Sequence, residues 1–232
     1  MKLKKIASLM LAGVMAVSML SACGEGNGNG NEDENKPVET VSNAVTYAND
    51  MLDSDLKEYI NFTSSTALDG WAAKYTTDTG KFSADSIKNA YKDTTTNANG
   101  WGGNYHNKME NQLKSDLKAA NVLVVDDDTD FQGMPADKVS QSKGTVMVLS
   151  GMLDEKSAVE TAVTTLGNWA FNNGSSVICP ETVEDNDTVY NCDYTVEINA
   201  VKVTNDSLTT ESAWVISFVV NQKVTKAVNV QV

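Results

Sequence analysis

The chain has 232 residues and a formal net charge of −13, with 31 acidic residues against 18 basic ones, and it contains no arginine. Nucleic acids and anionic lipid surfaces are bound through basic patches that release counterions, so this charge balance excludes both as direct partners. The length is sufficient for one domain with a sizeable buried core.

The first 22 residues have the layout of a secretory signal. Three lysines within the first five residues precede an apolar stretch, Ile6 to Leu20. This stretch is short for a membrane-spanning helix, which needs about 20 residues. Its ending, Leu20-Ser21-Ala22-Cys23, resembles the lipobox of bacterial lipoproteins. The resemblance implies that a diacylglycerol is attached to the Cys23 thiol, that the chain is cleaved before Cys23, and that lipid anchors the protein on the extracytoplasmic face of the cell membrane. An ordinary signal peptide with an incidental cysteine is the alternative.

Residues 23–37 are interpreted as the lipidated cysteine and a disordered tether. Gly24 to Asn35 contains no apolar side chain, so this segment cannot bury enough surface to offset the entropy of ordering it. A flexible chain of this length reaches roughly 20 Å. Without the signal, 15 lysines remain against 31 acidic residues, a net charge of −16. Residues 38–232 are predicted to form a single domain.

The first part of that domain, residues 38–120, has helical periodicity. Apolar residues at three- and four-residue steps predict a long first helix over Pro37–Asn61. The same spacing predicts a shorter helix over Ser83–Lys92 and a third over Asn104–Ala120. Trp71 and Trp214 are interpreted as core residues.

The second part, residues 121–232, is predicted to be rich in strands. Asp154 is expected to cap one further helix, which ends at Gly174. Short turns are predicted at 205–207 and 221–223, which favours an antiparallel meander. The predicted strands cover 122–125, 144–150, 176–179, 188–203, 213–221 and 225–232. In the fourth of these, alternation predicts that one face holds Tyr190, Cys192, Tyr194, Val196 and Ile198. Helices early and strands late predict an α+β fold, with N-terminal amphipathic helices packed on a C-terminal antiparallel sheet.

Two cysteines remain besides Cys23. Cys179 and Cys192 are close in sequence, and outside a membrane such a pair is first interpreted as a disulfide. Two reduced, buried thiols are the main alternative. A redox or metal pair is the functional alternative, but the spacing is not C-x-x-C, and His106 is the only histidine that could complete a zinc site.

An acidic stretch, Asp126 to Asp137, has carboxylates spaced as in a calcium-binding loop. Asp126, Asp128, Asp130 and Asp137 fall at positions one, three, five and twelve of an EF-hand-like pattern. Phe131 stands where the sharp turn requires glycine, and Pro135 would disturb an outgoing helix. These departures favour a solvated acidic turn. A weak calcium site of different geometry is the alternative, and no other cofactor is expected.

A glycine-rich stretch, Asn99 to His106, is the candidate binding loop. Trp101, Tyr105 and His106 are carried on a backbone with three glycines, an arrangement suited to stacking on sugar rings or on a protein partner. The alternative is that Trp101 covers the core while Asn104 begins a helix.

No catalytic signature stands out in the sequence. It lacks a G-x-S-x-G elbow, a phosphate-binding glycine loop and a dinucleotide fingerprint. The sequence therefore favours a lipid-anchored envelope protein with a ligand- or partner-binding domain over an enzyme. One alternative is a structural subunit, because a long N-terminal helix followed by a strand-rich region with a cysteine pair loosely resembles pilins. Another is an envelope hydrolase that uses a carboxylate pair.

Overall fold

The computed structural model describes residues 42–92, 103–122, 124, 140–171, 179–185 and 188–227. All of these residues belong to one compact unit, residues 40–232. The structural statements that follow concern these residues alone.

The described residues form five α-helices and a five-stranded sheet, which confirms the predicted α+β fold. The helices are α1 (Ala44–Asp50), α2 (Thr66–Thr77), α3 (Ala84–Lys92), α4 (Gly103–Ala119) and α5 (Glu155–Leu166). A 3₁₀ turn covers Leu56–Glu58, and a π-helical turn, Gly167–Phe171, follows α5 directly. The strands are β1 (Ile60–Thr63), β2 (Gln141–Ser150), β3 (Thr182–Asp185), β4 (Thr188–Val203) and β5 (Ala213–Lys226).

The sheet has the strand order β1-β4-β5-β2, with β3 as an additional partner of β4. One edge of β4 is paired along its length with β5, and the other edge is shared between β3 and β1. β3 pairs with residues 188–191 in antiparallel orientation, and β1 pairs with residues 194–197 in parallel orientation. The sheet is therefore mixed, whereas the sequence predicted an antiparallel one.

Helices cover both faces of the sheet. On one face α1, α5 and the π turn pack on alternate strand residues, and on the other face α2, α3 and α4 pack on the residues between them. The first face is lined by Ile60, Phe62, Met147, Leu149, Cys192, Tyr194, Val196, Ile198, Ala200, Trp214, Ile216, Phe218 and Val220. Strand alternation thus sends apolar side chains to both faces, as a sheet between two helical layers requires.

The predicted helix over Pro37–Asn61 is wrong within the described residues. α1 ends at Asp50, and Asp53 then accepts hydrogen bonds from the backbone N–H groups of residues 55 and 56 at the start of the 3₁₀ turn. Ile60 and Phe62 follow in β1, with both side chains buried. Apolar residues here satisfy helical spacing and strand alternation alike, and pairing with β4 decides in favour of the strand.

The other predicted helices are confirmed as α3, α4 and α5. Asp154 caps α5 as expected, since its Oδ1 accepts a hydrogen bond from the Ser157 N–H at 2.7 Å. α2 was not predicted, although its Trp71 is buried as expected. The predicted helix end at Gly174 lies outside the described residues.

The predicted turn at 221–223 is also wrong, because β5 runs through it without interruption. Asn221, Gln222 and Lys223 pair in register with Thr195, Tyr194 and Asp193 of β4. The turn at 205–207 is confirmed by a hydrogen bond of 3.0 Å from the Ser207 N–H to Asn205 Oδ1. The predicted strand over 122–125 is reduced, in its described part, to a single bridge between Val124 and Gly144.

Side chains bind the backbone at the outer edges of β1 and β2. The Asn49 amide forms two hydrogen bonds with Phe62 of β1, donating from Nδ2 to the carbonyl at 2.9 Å and accepting the N–H at 3.0 Å. On the opposite edge, Glu110 of α4 accepts a hydrogen bond from the Val148 N–H at 3.2 Å. Exposed strand edges are sites of unwanted pairing, and these contacts occupy the edge of β1 at Phe62 and the edge of β2 at Val148. No helix among the described residues is long and apolar enough to span a membrane.

Candidate functional site

The structure describes few of the side chains that the sequence singled out. Cys23, Trp101 and the acidic stretch Asp126–Asp137 lie outside the described residues. Tyr105 and His106 lie in the first turn of α4, where the backbone alone is described. The described candidates with side chains are therefore Cys179 and Cys192. Within the described ranges, no three side chains of the His, Cys, Asp or Glu types lie close enough together to hold a metal ion.

Cys179 and Cys192 are free thiols buried in the core between the sheet and α5. Their exposed fractions are 0% and 1%, and both belong to the same buried cluster. No bond joins the two sulfurs in this structure, and the Cys179–Cys192 disulfide stays a prediction, with two reduced, buried thiols as its alternative. The hydroxyl of Tyr194 lies near both thiols.

Strand pairing places the two cysteines near each other. The Cys192 N–H donates a hydrogen bond of 2.7 Å to the carbonyl of Glu181, which is two residues from Cys179. One step further along β4, the Tyr194 N–H donates to the Tyr59 carbonyl at 2.7 Å. The edge of β4 changes partner at this point, from the chain around β3 to the chain around β1. The two thiols lie at this junction.

Tyr194 is the centre of the polar contacts at the junction. Its hydroxyl donates to the Pro180 carbonyl at 3.2 Å and accepts from Gln222 Nε2, also at 3.2 Å. Gln222 is 3% exposed, and its Oε1 accepts a bond of 3.4 Å from Gln141 Nε2 in β2. A row of polar side chains therefore crosses from β4 over β5 to β2 within an otherwise apolar face.

Aromatic rings enclose Tyr194 on its two sides. The Tyr59 ring lies edge-on at a centroid distance of 6.2 Å, and the Phe171 ring does so at 5.6 Å. Such edge-to-face pairs add about 0.5–1.5 kcal/mol each beyond the burial of their area. They also keep water away from the hydroxyl and the thiols, which strengthens the internal hydrogen bonds.

Burial dominates the acid–base behaviour of this thiol cluster, by which we mean Cys179, Cys192, Tyr194 and Gln222. Burial raises the pKa of Cys179 to about 12, although the Tyr194 hydrogen bond and the charge of Lys143 act in the opposite direction. The pKa values of Cys192 and Tyr194 are raised as well, again chiefly by burial. All three groups are therefore neutral at physiological pH. A protonated, inaccessible thiol is neither a nucleophile nor a metal ligand, so this geometry suits a structural role.

Sequence reasoning found part of this cluster. The alternation from Tyr190 to Ile198 predicted that Cys192 and Tyr194 face the same way, and the structure confirms this. Gln222 was missed because residues 221–223 were interpreted as a turn. The alternation Phe218, Val220, Gln222 would have identified it as an inward-facing position.

Neither a protein-family model, nor a curated protein, nor a solved structure matches this chain.

Proposed function

We propose that this protein is a lipid-anchored component of the cell envelope whose domain binds a partner outside the membrane. The observation that carries the proposal is the junction Leu20-Ser21-Ala22-Cys23, where an apolar signal ends at a cysteine and a stretch without apolar side chains begins. A thioether-linked diacylglycerol supplies two acyl chains, and two chains hold a protein at a bilayer where one chain does not. The mature charge of −16 keeps the domain itself off anionic headgroups.

The anchor is tested by growing bacteria that express the full-length chain with an alkyne-bearing fatty acid. The protein should acquire the label and sediment with membranes, and Cys23→Ala should abolish both. Cys179→Ala is the matched control, because it also removes one cysteine but lies in the core of the domain. A Cys23→Ala chain that still carries label, or wild type that remains unlabelled, would contradict the anchor.

The proposed binding residues are Trp101, Tyr105 and His106, and an envelope glycan is the proposed partner. Support comes from the composition of the loop, which presents aromatic rings among glycines. The structure adds a positional argument. Tyr105 and His106 open α4, and the following turns of that helix are fixed to the sheet by the buried residues Met109, Leu113 and Leu117. A loop joined to a rigid helix is a common way to present binding residues.

The binding residues are tested by retention on immobilised envelope glycans. The double substitution Trp101→Ala with Tyr105→Ala should abolish retention, whereas Tyr190→Ala, which removes a partly exposed ring from β4, should leave it unchanged. Equal retention of all three proteins would contradict the loop as the site, and retention of none would contradict a glycan partner.

The described part of the N-terminal region does not contain the long helix that the pilin-like alternative requires. It contains α1, a 3₁₀ turn and β1 instead. Sizing chromatography of the chain without its signal provides the direct check. A monomer accords with the binding proposal, and ordered higher assembly would favour a structural subunit.

A further inference from the structure

The two cysteines of the thiol cluster lie close to each other and are both inaccessible to solvent. Both cysteines belong to one buried cluster, and the Cys192 N–H donates a hydrogen bond to the carbonyl of Glu181, two residues from Cys179. The hydroxyl of Tyr194, which lies on the same face as Cys192, donates to the carbonyl of Pro180, next to Cys179, so the two thiols lie close together. Their 0% and 1% exposure means that a reagent in solution cannot reach either one while the domain is closed.

We propose that Cys179 and Cys192 can be joined by a disulfide only while the chain folds, and that closure of the domain then fixes the redox state already reached. The reaction is thiol–disulfide exchange with an oxidant that itself carries a disulfide, either a small molecule or an exported oxidoreductase. One Sγ–Sγ bond forms, the S–S bond of the oxidant breaks, and the oxidant's two sulfur atoms take the two thiol protons. Two electrons pass from the cysteines to the oxidant.

Access and protonation both act against exchange in the folded domain. Exchange begins with attack by a thiolate on a disulfide sulfur, so it requires a deprotonated and exposed thiol. Burial opposes deprotonation of both cysteines, since it is the main cause of their raised pKa values. In the unfolded chain the same thiols are exposed and have an ordinary pKa of about 8.5. The two redox forms should therefore interconvert only through opening of the domain.

A disulfide between Cys179 and Cys192 would stabilise the segment that contains β3. Among the described residues, this short strand pairs with β4 only, through four residue pairs. A bond between Cys179 and Cys192 would close the chain that carries β3 into a loop fixed to β4. Closing a loop of this size restricts the unfolded chain and raises the unfolding temperature of a domain this large by about 6–12 °C.

The experiment uses the full-length chain with Cys23→Ser, which leaves Cys179 and Cys192 as its only cysteines. The reduced, folded protein is exposed to a maleimide and, separately, to oxidised glutathione, in parallel with the same protein in urea. The unfolded chain should react at both thiols, and the folded protein should react at least about 1,000-fold more slowly because it must first open. Reaction of the folded protein at a comparable rate would overturn the proposal.

The second arm refolds the chain in a glutathione redox buffer. We expect an intramolecular disulfide, seen as a loss of two hydrogens by mass spectrometry, together with the higher unfolding temperature. Single Cys179→Ala and Cys192→Ala variants should show no difference between oxidising and reducing buffers. A refolded protein without the Cys179–Cys192 bond, or with the bond and an unchanged or lower unfolding temperature, would overturn the proposal. If the alanine variants do not fold, the rates measured on the parent chain decide alone.

Discussion

Asn49 offers a direct test of how the open edge of β1 is held. Its side chain occupies both backbone groups of Phe62 that point away from β4, with hydrogen bonds of 2.9 and 3.0 Å. The amide thus takes the place of the next strand. Asn49→Ala removes both bonds without disturbing the apolar contacts of α1, whose buried residues are Ala44 and Ala48.

The size of the effect follows from the two bonds and from the position of Asn49 in a helix. Each hydrogen bond contributes about 0.5–1.5 kcal/mol net, so their loss costs about 1–3 kcal/mol. Alanine is the better helix former and returns about 0.5 kcal/mol. Asn49→Ala should therefore lower the free energy of unfolding by about 0.5–2.5 kcal/mol, measured from the urea midpoint at an unchanged slope.

Asn89→Ala is the matched control on another helix. The Asn89 side chain forms a single, exposed hydrogen bond, from Nδ2 to the Asp85 carbonyl at 2.7 Å within α3. Its loss should change stability by no more than about 0.5 kcal/mol. If the two alanine variants were equally stable, the Asn49 amide would not be supporting the edge of β1.

Asn49→Asp tests the two hydrogen bonds separately, because it keeps one of them and replaces the other with a repulsion at neutral pH. Aspartate keeps the acceptor for the Phe62 N–H, but at neutral pH its carboxylate faces the Phe62 carbonyl. That repulsion raises the pKa of the new carboxyl in the folded state above its unfolded value. Relative to wild type, the variant should therefore be most stable at low pH, where a protonated carboxyl can donate to the Phe62 carbonyl, and should lose stability as pH rises. A pH-independent difference from wild type would refute this reasoning.

Three further predictions concern other parts of the domain. Burial raises the pKa of the Glu110 carboxyl in the folded protein, so this group favours the folded state at low pH and favours it less as pH rises through that pKa. Glu110→Gln should therefore stabilise the protein relative to wild type at pH 7 but not at pH 4. Urea midpoints at the two pH values measure the difference. A side chain at Gly151 would overlap the backbone of Ser212, so Gly151→Ala should lower the free energy of unfolding by about 1–3 kcal/mol, whereas Gly70→Ala, in open space on α2, should raise it by about 0.5–1 kcal/mol. For the acidic stretch Asp126–Asp137, calorimetric titration with calcium should give no heat of binding if it is a solvated turn, and saturable heat in the millimolar range if it is a weak site.

The sequence predicted those elements in which a single periodicity is present. α3, α4 and α5 each have one apolar face, and hydrogen bonds or burial in the structure agree with it. The region from α1 to β1 fits two periodicities at once, and the choice depends on pairing between Ile60 and Tyr194, which are far apart in the chain. Local pattern carries no information about such pairing.

The thiol cluster shows the same limit at the level of single side chains. Alternation in β4 was sufficient to place Cys192 and Tyr194 on one face. It could not show that Gln222 lies opposite Tyr194, because that contact depends on the register between β4 and β5. It also could not show that Cys179 lies beside Cys192 and Tyr194, because Cys179 lies outside the regular strands. The polar residues 221–223 were interpreted as a turn, whereas they continue β5, and Gln222 among them forms a buried contact of the cluster.

The two occupied edges also bear on how a partner can bind. Extended peptides often bind by adding a strand to an open sheet edge, using its free N–H and carbonyl groups. In the described part of this sheet, Asn49 holds those groups at Phe62, and Glu110 holds the N–H at Val148. Strand addition at either position would have to displace a side chain first. This disfavours strand addition along β1 and β2 and accords with a partner bound through connecting loops, as proposed for Trp101, Tyr105 and His106. Removing the amide should reverse this preference, and Asn49→Ala is therefore expected to form dimers on sizing chromatography at concentrations at which wild type and Asn89→Ala remain monomeric. An Asn49→Ala variant that is destabilised but still monomeric would show that Asn49 stabilises the strand without protecting its edge.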